Sequence, residues 1–215
     1  MMVTFALLVI IVVAISTLIY VNLPVENNDE TQKQQGSDGT IDTTDQMDEV
    51  KKNMTCSLIF DDQVIVYDLL TLETFEQHTG SGRYIKTKLL PDTVSLSEVI
   101  NFTGIQIQTL LGSLNGLPTN YSIKVTASDG YITEYTIDDI SGNVEVYTEN
   151  GTIAKNASPV VMILAYMEEE SYYFKIDPEE DIGPFRIAFV KENTPITSSS
   201  LWSKKVISIE LLPPS

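Results

Sequence analysis

The sequence predicts an α+β, β-rich mixed-sheet domain preceded by one N-terminal transmembrane helix. Three observations lead to this fold class. The first 25 residues carry no charged side chain and are mostly apolar. The rest of the chain contains many short segments in which apolar and polar residues alternate, as they do in half-buried strands. Only a few short stretches have the apolar spacing of a helix, so strands are expected to predominate.

The composition limits the possible functions. The chain has 215 residues, enough for one folded domain plus extensions. Its 13 basic and 30 acidic residues give a formal charge of −17, which argues against nucleic-acid binding because phosphate contacts need clustered Lys and Arg. A single cysteine excludes an internal disulfide and a zinc site built from several thiolates.

Residues 1–25 are expected to form a membrane anchor. Residues 3–21 are almost all apolar, and about 20 helical residues cross the hydrocarbon core of a bilayer. The alternative is a cleaved signal peptide. The absence of a basic region before the run, the length of the run and the lack of a clear A-x-A cleavage site favour an uncleaved anchor.

The bulk of the chain is expected outside the cytoplasm, with its N-terminus inside. The residues after the apolar run are acidic and polar, and they lack the basic cluster typical of a cytoplasmic flank. The chain also has five Asn-x-Ser/Thr sequons, whereas its 11 Asn and 40 Ser or Thr predict about two by chance. All five follow the anchor and are candidate glycosylation sites: Asn53, Asn101, Asn120, Asn150 and Asn156.

Residues 26–52 are expected to form an acidic, flexible stalk. They include eight acidic residues, three lysines and no aromatic residue. Such a segment buries too little apolar surface to offset the entropy that ordering would cost. An acidic tail that recruits a basic partner is the functional alternative, and the composition favours a simple spacer.

Residues 53–215 are expected to form the folded domain, whose 22 acidic and 10 basic residues give a formal charge of −12. The Asp61-Asp62-Gln63 tripeptide separates two β-type segments and predicts a hairpin. The apolar run at residues 159–166 predicts a buried central strand. Helical spacing is clearest at residues 105–114, and weaker short helices are predicted at 68–77 and 96–102. The predicted strands cover residues 57–60, 64–67, 121–127, 131–137, 143–147, 159–166, 185–190 and 206–211.

Several short motifs follow one another along the domain. They are Thr103-Gly104-Ile105-Gln106-Ile107 with Thr109-Leu110-Leu111, Val125-Thr126-Ala127-Ser128-Asp129-Gly130-Tyr131, Asp138-Asp139, Leu164-Ala165-Tyr166, Gly183-Pro184-Phe185-Arg186-Ile187 and Ile207-Ser208-Ile209-Glu210-Leu211. This order resembles the molybdopterin-binding domain of the sulfite oxidase family of oxidoreductases, and the likeness covers residues 57–212.

The resemblance implies a mixed α/β, β-rich fold that holds a pterin-linked molybdenum through one cysteine thiolate. In the family, this cysteine lies on a loop upstream of the stretch that matches residues 103–111. Residues 71–100 of this chain contain no cysteine. Cys56 is expected before the first strand of the domain, and the ligand role is not assigned to it. Molybdenum without a thiolate would lose its one protein anchor.

The resemblance also implies residues that bind the pterin, and this chain has few of them. Catalytic members of the family tend to have a His just before the Gly-Pro motif, where this chain has Asp181. The closing segment of the family contributes a Lys and an aromatic residue to the pterin site. Lys204 lies near that Lys and is the one cofactor-binding candidate, whereas Lys205 occupies the aromatic position and Trp202 is displaced.

Two further groups have candidate roles. His78 could shuttle a proton or bind a metal, but without a second His or spaced Cys an exposed loop histidine is favoured. Arg83, Lys86 and Lys88 form the densest basic cluster and follow Gly80-Ser81-Gly82. A glycine-rich loop beside cations can hold an anion. The spacing is not that of a P-loop, so an ordinary charged hairpin is favoured.

Two functional hypotheses follow from these observations. The favoured one is a non-catalytic, membrane-tethered extracytoplasmic domain that binds a small molecule or a protein. It predicts no cofactor, no catalytic residue and no metal ligand, and the N-terminal helix makes the membrane a partner. The alternative is a molybdopterin-dependent oxidoreductase with an altered metal site.

Overall fold

The structure is a computed structural model that describes residues 43–90, 93–176 and 183–213. These residues belong to a unit that spans Asp42–Ser215. The predicted membrane anchor, residues 26–42 of the predicted stalk, and Asp181 lie outside the described residues. None of the helices in the described ranges has the length and apolar character needed to cross a membrane.

Strands make up most of the regular structure, as the sequence predicts. The described ranges contain the short helices α1 (Thr43–Asn53), α2 (Leu69–Leu72), α3 (Ile107–Leu111) and α4 (Ile137–Ile140). The strands are β1 (Thr55–Phe60), β2 (Gln63–Asp68), β3 (Gln77–Leu90), β4 (Thr93–Leu96), β5 (Ile100–Gln106), β6 (Ser122–Ala127), β7 (Ile132–Thr136), β8 (Val161–Glu168), β9 (Ser171–Tyr172), β10 (Arg186–Val190), β11 (Ile196–Ser198) and β12 (Val206–Leu212). Two 3-10 turns follow β9 and β11, at Tyr173–Lys175 and Ser199–Leu201.

The first sheet has five strands in the order β2-β1-β12-β6-β7. β1 and β2 form the predicted antiparallel hairpin, and Asp61 closes it with a positive φ of 50°. Aspartate tolerates this conformation in tight turns. β1 also pairs with β12 in parallel, so the beginning and the end of the domain lie side by side.

The second sheet has the strand order β10-β8-β5-β3-β11, with β4 paired to β3 and β9 paired to β8. β8 lies between β10 and β5 and has five consecutive buried residues, which confirms the predicted central strand. Backbone hydrogen bonds of 3.1 and 3.0 Å join Ser81 and Lys191. Because Lys191 directly follows β10, these bonds link β10 back to β3 and close the four strands β10, β8, β5 and β3 into a ring.

One apolar core contains side chains from both sheets. Leu58 and Ile209 contribute from the first sheet, and Ile163 and Phe189 contribute from the second. Side chains of α2, α3 and α4 pack into the same core. The short helices therefore owe their stability to packing rather than to length, since isolated helices this short are unstable in water.

Several parts of the sequence prediction differ from the structure. The helix predicted at residues 96–102 is wrong, because β4 ends at Leu96 and β5 begins at Ile100. The strand predicted at 143–147 is also wrong, because this segment follows a bend at Gly142 and has only isolated bridges at Tyr147. Residues 43–52 were placed in the flexible stalk, whereas the structure has them in α1. Cys56 lies within β1 rather than before the first strand.

Candidate ligand-binding groove

A groove of about 460 Å³ lies where β3, β11 and residues 146–149 meet. Small-molecule sites in proteins commonly have volumes of about 300–1,000 Å³. The lining combines polar and apolar side chains, namely Arg83, Val99, Val146, Tyr147, Thr148, Glu149, Asn193, Thr194, Pro195 and Ile196. We call this feature the Arg83 groove.

Backbone hydrogen bonds fix the three walls of the Arg83 groove relative to one another. Ile196 of β11 is the parallel partner of Arg83 in β3. The amide of Arg83 donates to the carbonyl of Pro195 at 3.1 Å, and the amide of Tyr147 donates to the carbonyl of Ile196 at 2.7 Å. The groove is therefore assembled by the sheet and by one bridge to it, which are more rigid supports than a free loop.

The Arg83 guanidinium is the only cation among the described lining residues. Its Nε donates to the carbonyl of Ser97 at 3.2 Å, which anchors one side of the guanidinium plane to the end of β4. Its Nη1 lies 4.0 Å from Oε1 of Glu149. The Arg83 side chain is 21% exposed, and that of Glu149 is 86% exposed. An ion pair this long and this exposed is weak, so Arg83 keeps donor capacity toward the groove.

Glu149 lies on a tight turn that closes one end of the groove. The amide of Thr148 donates to the carbonyl of Thr152 at 2.8 Å, and the amide of Gly151 donates to the carbonyl of Thr148 at 2.9 Å. Gly151 has a φ of 78°, a conformation that glycine adopts without strain. The turn therefore holds the Glu149 backbone in place while its carboxylate extends into solvent.

Four apolar residues also line the groove. Val99 is half exposed, Ile196 is largely buried, and the other two are Val146 and Pro195. A smaller pocket of about 170 Å³ shares Val146, Asn193 and Pro195 with the groove and also includes Lys191. Lys191 Nζ donates to the hydroxyl of Ser158 and to the carbonyl of Pro159, so its charge is already engaged.

The residue after Arg83 belongs to an aromatic cluster around a second, buried arginine. The Arg186 guanidinium lies over the rings of Tyr84, Phe102 and Trp202, with its Cζ 5.8, 5.4 and 5.1 Å from their centroids. Its Nη1 lies 3.5 Å from Oε2 of Glu168. Arg186 is 3% exposed, so aromatic faces and one carboxylate replace its hydration. This cluster supports β3 from the face opposite to Arg83.

Gly82 allows the close approach of β3 to its neighbours beside the groove. A side-chain carbon at this position would lie 2.5 Å from the carbonyl oxygen of Phe189 and 2.9 Å from the ring of Trp202. Glycine is therefore required here for packing, and it sets the position of the adjacent Arg83.

The other residues singled out in the sequence lie away from the groove. His78 is in β3 rather than in a loop, and its Nδ1 lies 3.2 Å from the side-chain nitrogen Nε2 of Gln106. Lys86 is exposed on the same strand. Lys204, the cofactor-binding candidate, is exposed just before β12, and the neighbouring Trp202 is buried. Gly80-Ser81-Gly82 lie within β3 rather than in a loop, which corrects that expectation. The charged hairpin is confirmed, because β3 continues through Arg83 and Lys86 and pairs antiparallel with β4.

All five sequon asparagines have exposed side chains in the structure. Asn150 lies on the Glu149 turn, and its side-chain oxygen accepts a hydrogen bond from the Thr152 hydroxyl at 3.0 Å. Asn101 lies in β5, where its side-chain nitrogen is 3.3 Å from Oε2 of Glu169. Their surface positions are compatible with glycan attachment, which stays a prediction.

Of the groove residues, the sequence pointed only to Arg83. Glu149 and Thr194 are distant from it in sequence and join it through the pairing of β3 with β11 and the bridge at Tyr147. No local motif marks these residues. The one sequence signal is the basic cluster after Gly80-Ser81-Gly82, whose spacing favours a charged hairpin.

Comparison with known proteins gives information on the fold. No protein-family model and no curated protein matches the sequence. Among solved structures, the chain is similar to the sulfane dehydrogenase SoxCD from Paracoccus pantotrophus, with a TM-score of 0.50 and 10% identity. The similarity covers 75% of this chain and 39% of that chain, so the present chain matches about two fifths of the SoxCD chain. It supports the molybdopterin-binding oxidoreductase fold that the motif order predicts.

The residues present do not fit a molybdenum bound through a thiolate. Cys56, the only cysteine of the chain, is 2% exposed in β1 of the first sheet. Burial raises the pKa of its thiol to about 12, which disfavours the thiolate that binds metals. The resemblance places the ligand upstream of β5, within residues 71–100, a stretch without cysteine. Within the described ranges, no three His, Cys, Asp or Glu side chains converge to hold a metal ion.

Proposed function

We propose that this chain is a membrane-anchored extracytoplasmic binding domain that uses the scaffold of a molybdopterin oxidoreductase without its metal chemistry. The single observation that carries the proposal is the position of Cys56. Its side chain lies in the apolar core, and residues 71–100, the region expected to supply the metal-binding thiolate, contain no cysteine. A fold can persist while its site changes function.

The Arg83 groove is the proposed ligand site. Its volume of about 460 Å³ exceeds those of two further pockets, about 170 and 300 Å³, and its lining combines one cation with apolar side chains. Sites with a few placed polar groups on an apolar surface are typical of small-molecule recognition. Its backbone is fixed by strand pairing, so it does not need to form on binding.

The proposed location rests on the N-terminal residues and on the sequons. The uncharged apolar run at residues 3–21 supports a membrane anchor, and the acidic residues after it support a position outside the cytoplasm for the domain. The exposure of all five sequon asparagines agrees with this location.

Metal analysis of the full chain tests the non-catalytic assignment. The chain is expressed in cells that make the molybdenum cofactor, purified from membranes and analysed for molybdenum and for the fluorescent oxidation product of pterin. We expect neither at a stoichiometric level. A Cys56→Ser variant is the matched control, because a cofactor bound through this thiol would be present in the wild type and lost in the variant. Stoichiometric molybdenum or pterin would support the alternative, an oxidoreductase with an altered metal site.

Fractionation tests the membrane assignment. The full chain is expected in the membrane pellet after alkaline carbonate washing, and a variant without residues 1–25 is expected in the supernatant. Protease added to intact cells should digest the domain of the full chain. N-terminal sequencing of the membrane form distinguishes an uncleaved anchor from a processed signal peptide, and recovery of a processed, soluble chain would overturn the anchor.

A further inference from the structure

We infer that the Arg83 groove binds an organic monocarboxylate with an apolar body. The inference rests on the proposed function, because it takes the groove to be the ligand site. Three features of the groove carry it: the orientation of Arg83, the Glu149 carboxylate near it, and the apolar side chains of the lining.

The Arg83 guanidinium is oriented so that it can donate hydrogen bonds to a carboxylate. Its Nε is bonded to the Ser97 carbonyl, and this contact fixes the plane of the guanidinium. Ser97 is itself held, since its amide donates to the Tyr84 carbonyl at 2.9 Å and its hydroxyl accepts from the Tyr84 amide at 2.9 Å. An arginine fixed in this way can present its remaining N–H groups to a carboxylate at low entropic cost.

The Glu149 side chain indicates that a carboxylate can lie near the Arg83 guanidinium. Its carboxylate approaches Nη1 to only 4.0 Å from an exposed turn, without a direct hydrogen bond. The contact is weak enough to be displaced. A ligand carboxylate that enters the groove would form closer hydrogen bonds to the guanidinium, while the Glu149 carboxylate would stay in solvent.

The charge balance favours a monoanion over a dianion. Among the described lining residues, Arg83 is the only cation and Glu149 the only acid, so the groove is formally neutral. The domain around it has a formal charge of −12. A monocarboxylate that displaces Glu149 leaves one charge paired with Arg83, whereas a phosphate monoester adds a second negative charge with no further cation in the lining.

The apolar side chains of the lining favour an apolar body on the ligand. Val99 is 49% exposed, and Val146 also belongs to the lining. Tyr147 adds an aromatic ring, whose hydroxyl is bonded to Glu145 at 2.6 Å. An aromatic or aliphatic group placed against these side chains would remove apolar surface from water on both partners.

The test uses phenylacetate as the probe and the full chain in nanodiscs, with binding followed by saturation-transfer NMR. Arg83→Gln removes the cation, and Lys86→Gln removes an exposed cation from the same strand as the matched control. We expect binding to weaken about tenfold to a hundredfold in Arg83→Gln, as for loss of a hydrogen bond to a charged group. Lys86→Gln should bind like the wild type. Phenylethanol, the neutral analogue, should bind no better to the wild type than to Arg83→Gln.

A second variant is expected to bind phenylacetate more tightly than the wild type. Its substitution lies on an exposed turn, so it should not affect the stability of β3. Glu149→Gln, on the exposed turn, removes the competing carboxylate and should tighten phenylacetate binding up to about fivefold, the upper range for an exposed ion pair. Any one of three results would overturn the inference. They are equal phenylacetate binding by Arg83→Gln and the wild type, weaker binding by Glu149→Gln than by the wild type, and tighter binding of phenyl phosphate than of phenylacetate. An absence of phenylacetate binding in every variant would also overturn it, while the metal analysis would still decide the proposed function independently.

Discussion

The ammonium nitrogen of Lys51 lies 2.8 Å from Oε2 of Glu73, and this ion pair fastens α1 to the end of α2. The Tyr172 hydroxyl joins both partners, because it accepts from Lys51 at 2.9 Å and donates to Oε1 of Glu73 at 2.6 Å. Lys51 Nζ also lies 4.4 Å from the centroid of the Tyr172 ring. The side chains of Lys51 and Glu73 are largely shielded from water, so the pair is stronger than a surface ion pair.

Replacement of Lys51 by Met is expected to lower the free energy of unfolding by about 2 kcal/mol near neutral pH. Burial alone would lower the pKa of Lys51, but the hydrogen bonds to Glu73 and Tyr172 outweigh it and raise the pKa above 10.5. A cation whose pKa is raised on folding stabilises the fold below its unfolded pKa, and this contribution is lost as the pH rises through the folded value. In urea unfolding, the difference between wild type and Lys51→Met should therefore shrink above pH 10.5. The exposed Lys52→Met is the control, and a difference that is independent of pH would contradict the assignment.

Glu168 is expected to be essential for the stability of the buried Arg186. Glu168→Gln removes the carboxylate that lies 3.5 Å from Nη1 of Arg186 and leaves a buried cation among aromatic rings. The loss should be about 3 kcal/mol, as for breaking a buried ion pair. Trp202 is the only tryptophan, so its fluorescence reports unfolding of this cluster. The exposed Glu170→Gln should unfold like the wild type, and an equal loss in both variants would argue against a specific role for Glu168.

Gly82→Ala is expected to destabilise the fold by about 2 kcal/mol, the usual magnitude for overpacking. The added carbon would lie 2.5 Å from the Phe189 carbonyl, a backbone atom that cannot rotate away. Gly112→Ala is the control, since Gly112 has a helical φ of −62° and its nearest neighbour would be 3.2 Å away. Thermal unfolding followed by circular dichroism compares the two, and equal melting temperatures would show that β3 adapts without cost.

The sequence predicts the strands that carry a clear local pattern of apolar residues or turn residues. The apolar run at 159–166 needs burial on both faces, and the structure places β8 between β10 and β5. The Asp61 turn predicts the β1–β2 hairpin in the same way, because its chemistry is local. The mixed, sheet-rich fold was predictable for this reason.

Elements that depend on distant partners were not predictable from local pattern. β3 contains Gly, Ser, Thr and His in its first half, and it is a strand because it pairs with β5, β11 and β4. The alternation at residues 143–147 predicted a strand, but the Tyr147 amide bonds to Ile196 and the chain then turns at Thr148. The groove is formed by these same long-range contacts, so only Arg83 was visible from the sequence.

Glycosylation at Asn150 is expected in a host with an N-glycosylation pathway. The side chain is exposed on the Glu149 turn, beside the Thr152 hydroxyl of its sequon. Thr152→Ala should remove the glycan at this site, while Thr152→Ser keeps the sequon and should retain it. Mass spectrometric mapping of the peptides checks both variants. Unmodified asparagine at Asn53, Asn101, Asn120, Asn150 and Asn156 alike would count against an exported domain.

The native Cys56 thiol is expected to resist alkylation and disulfide exchange. Its side chain lies in the apolar core, and burial raises the pKa of the thiol to about 12, so near neutral pH the thiolate fraction is negligible. Reaction with a thiol-specific chromogenic reagent should be slow in the native chain and complete within minutes in urea, with Cys56→Ser as the blank. If the native thiol reacts as fast as the unfolded one, Cys56 is accessible to a metal, and the scaffold has kept a thiol that could bind it. Slow reaction would instead tie the absence of a thiolate to the packing of β1, because the same side chains that exclude the reagent would exclude molybdenum.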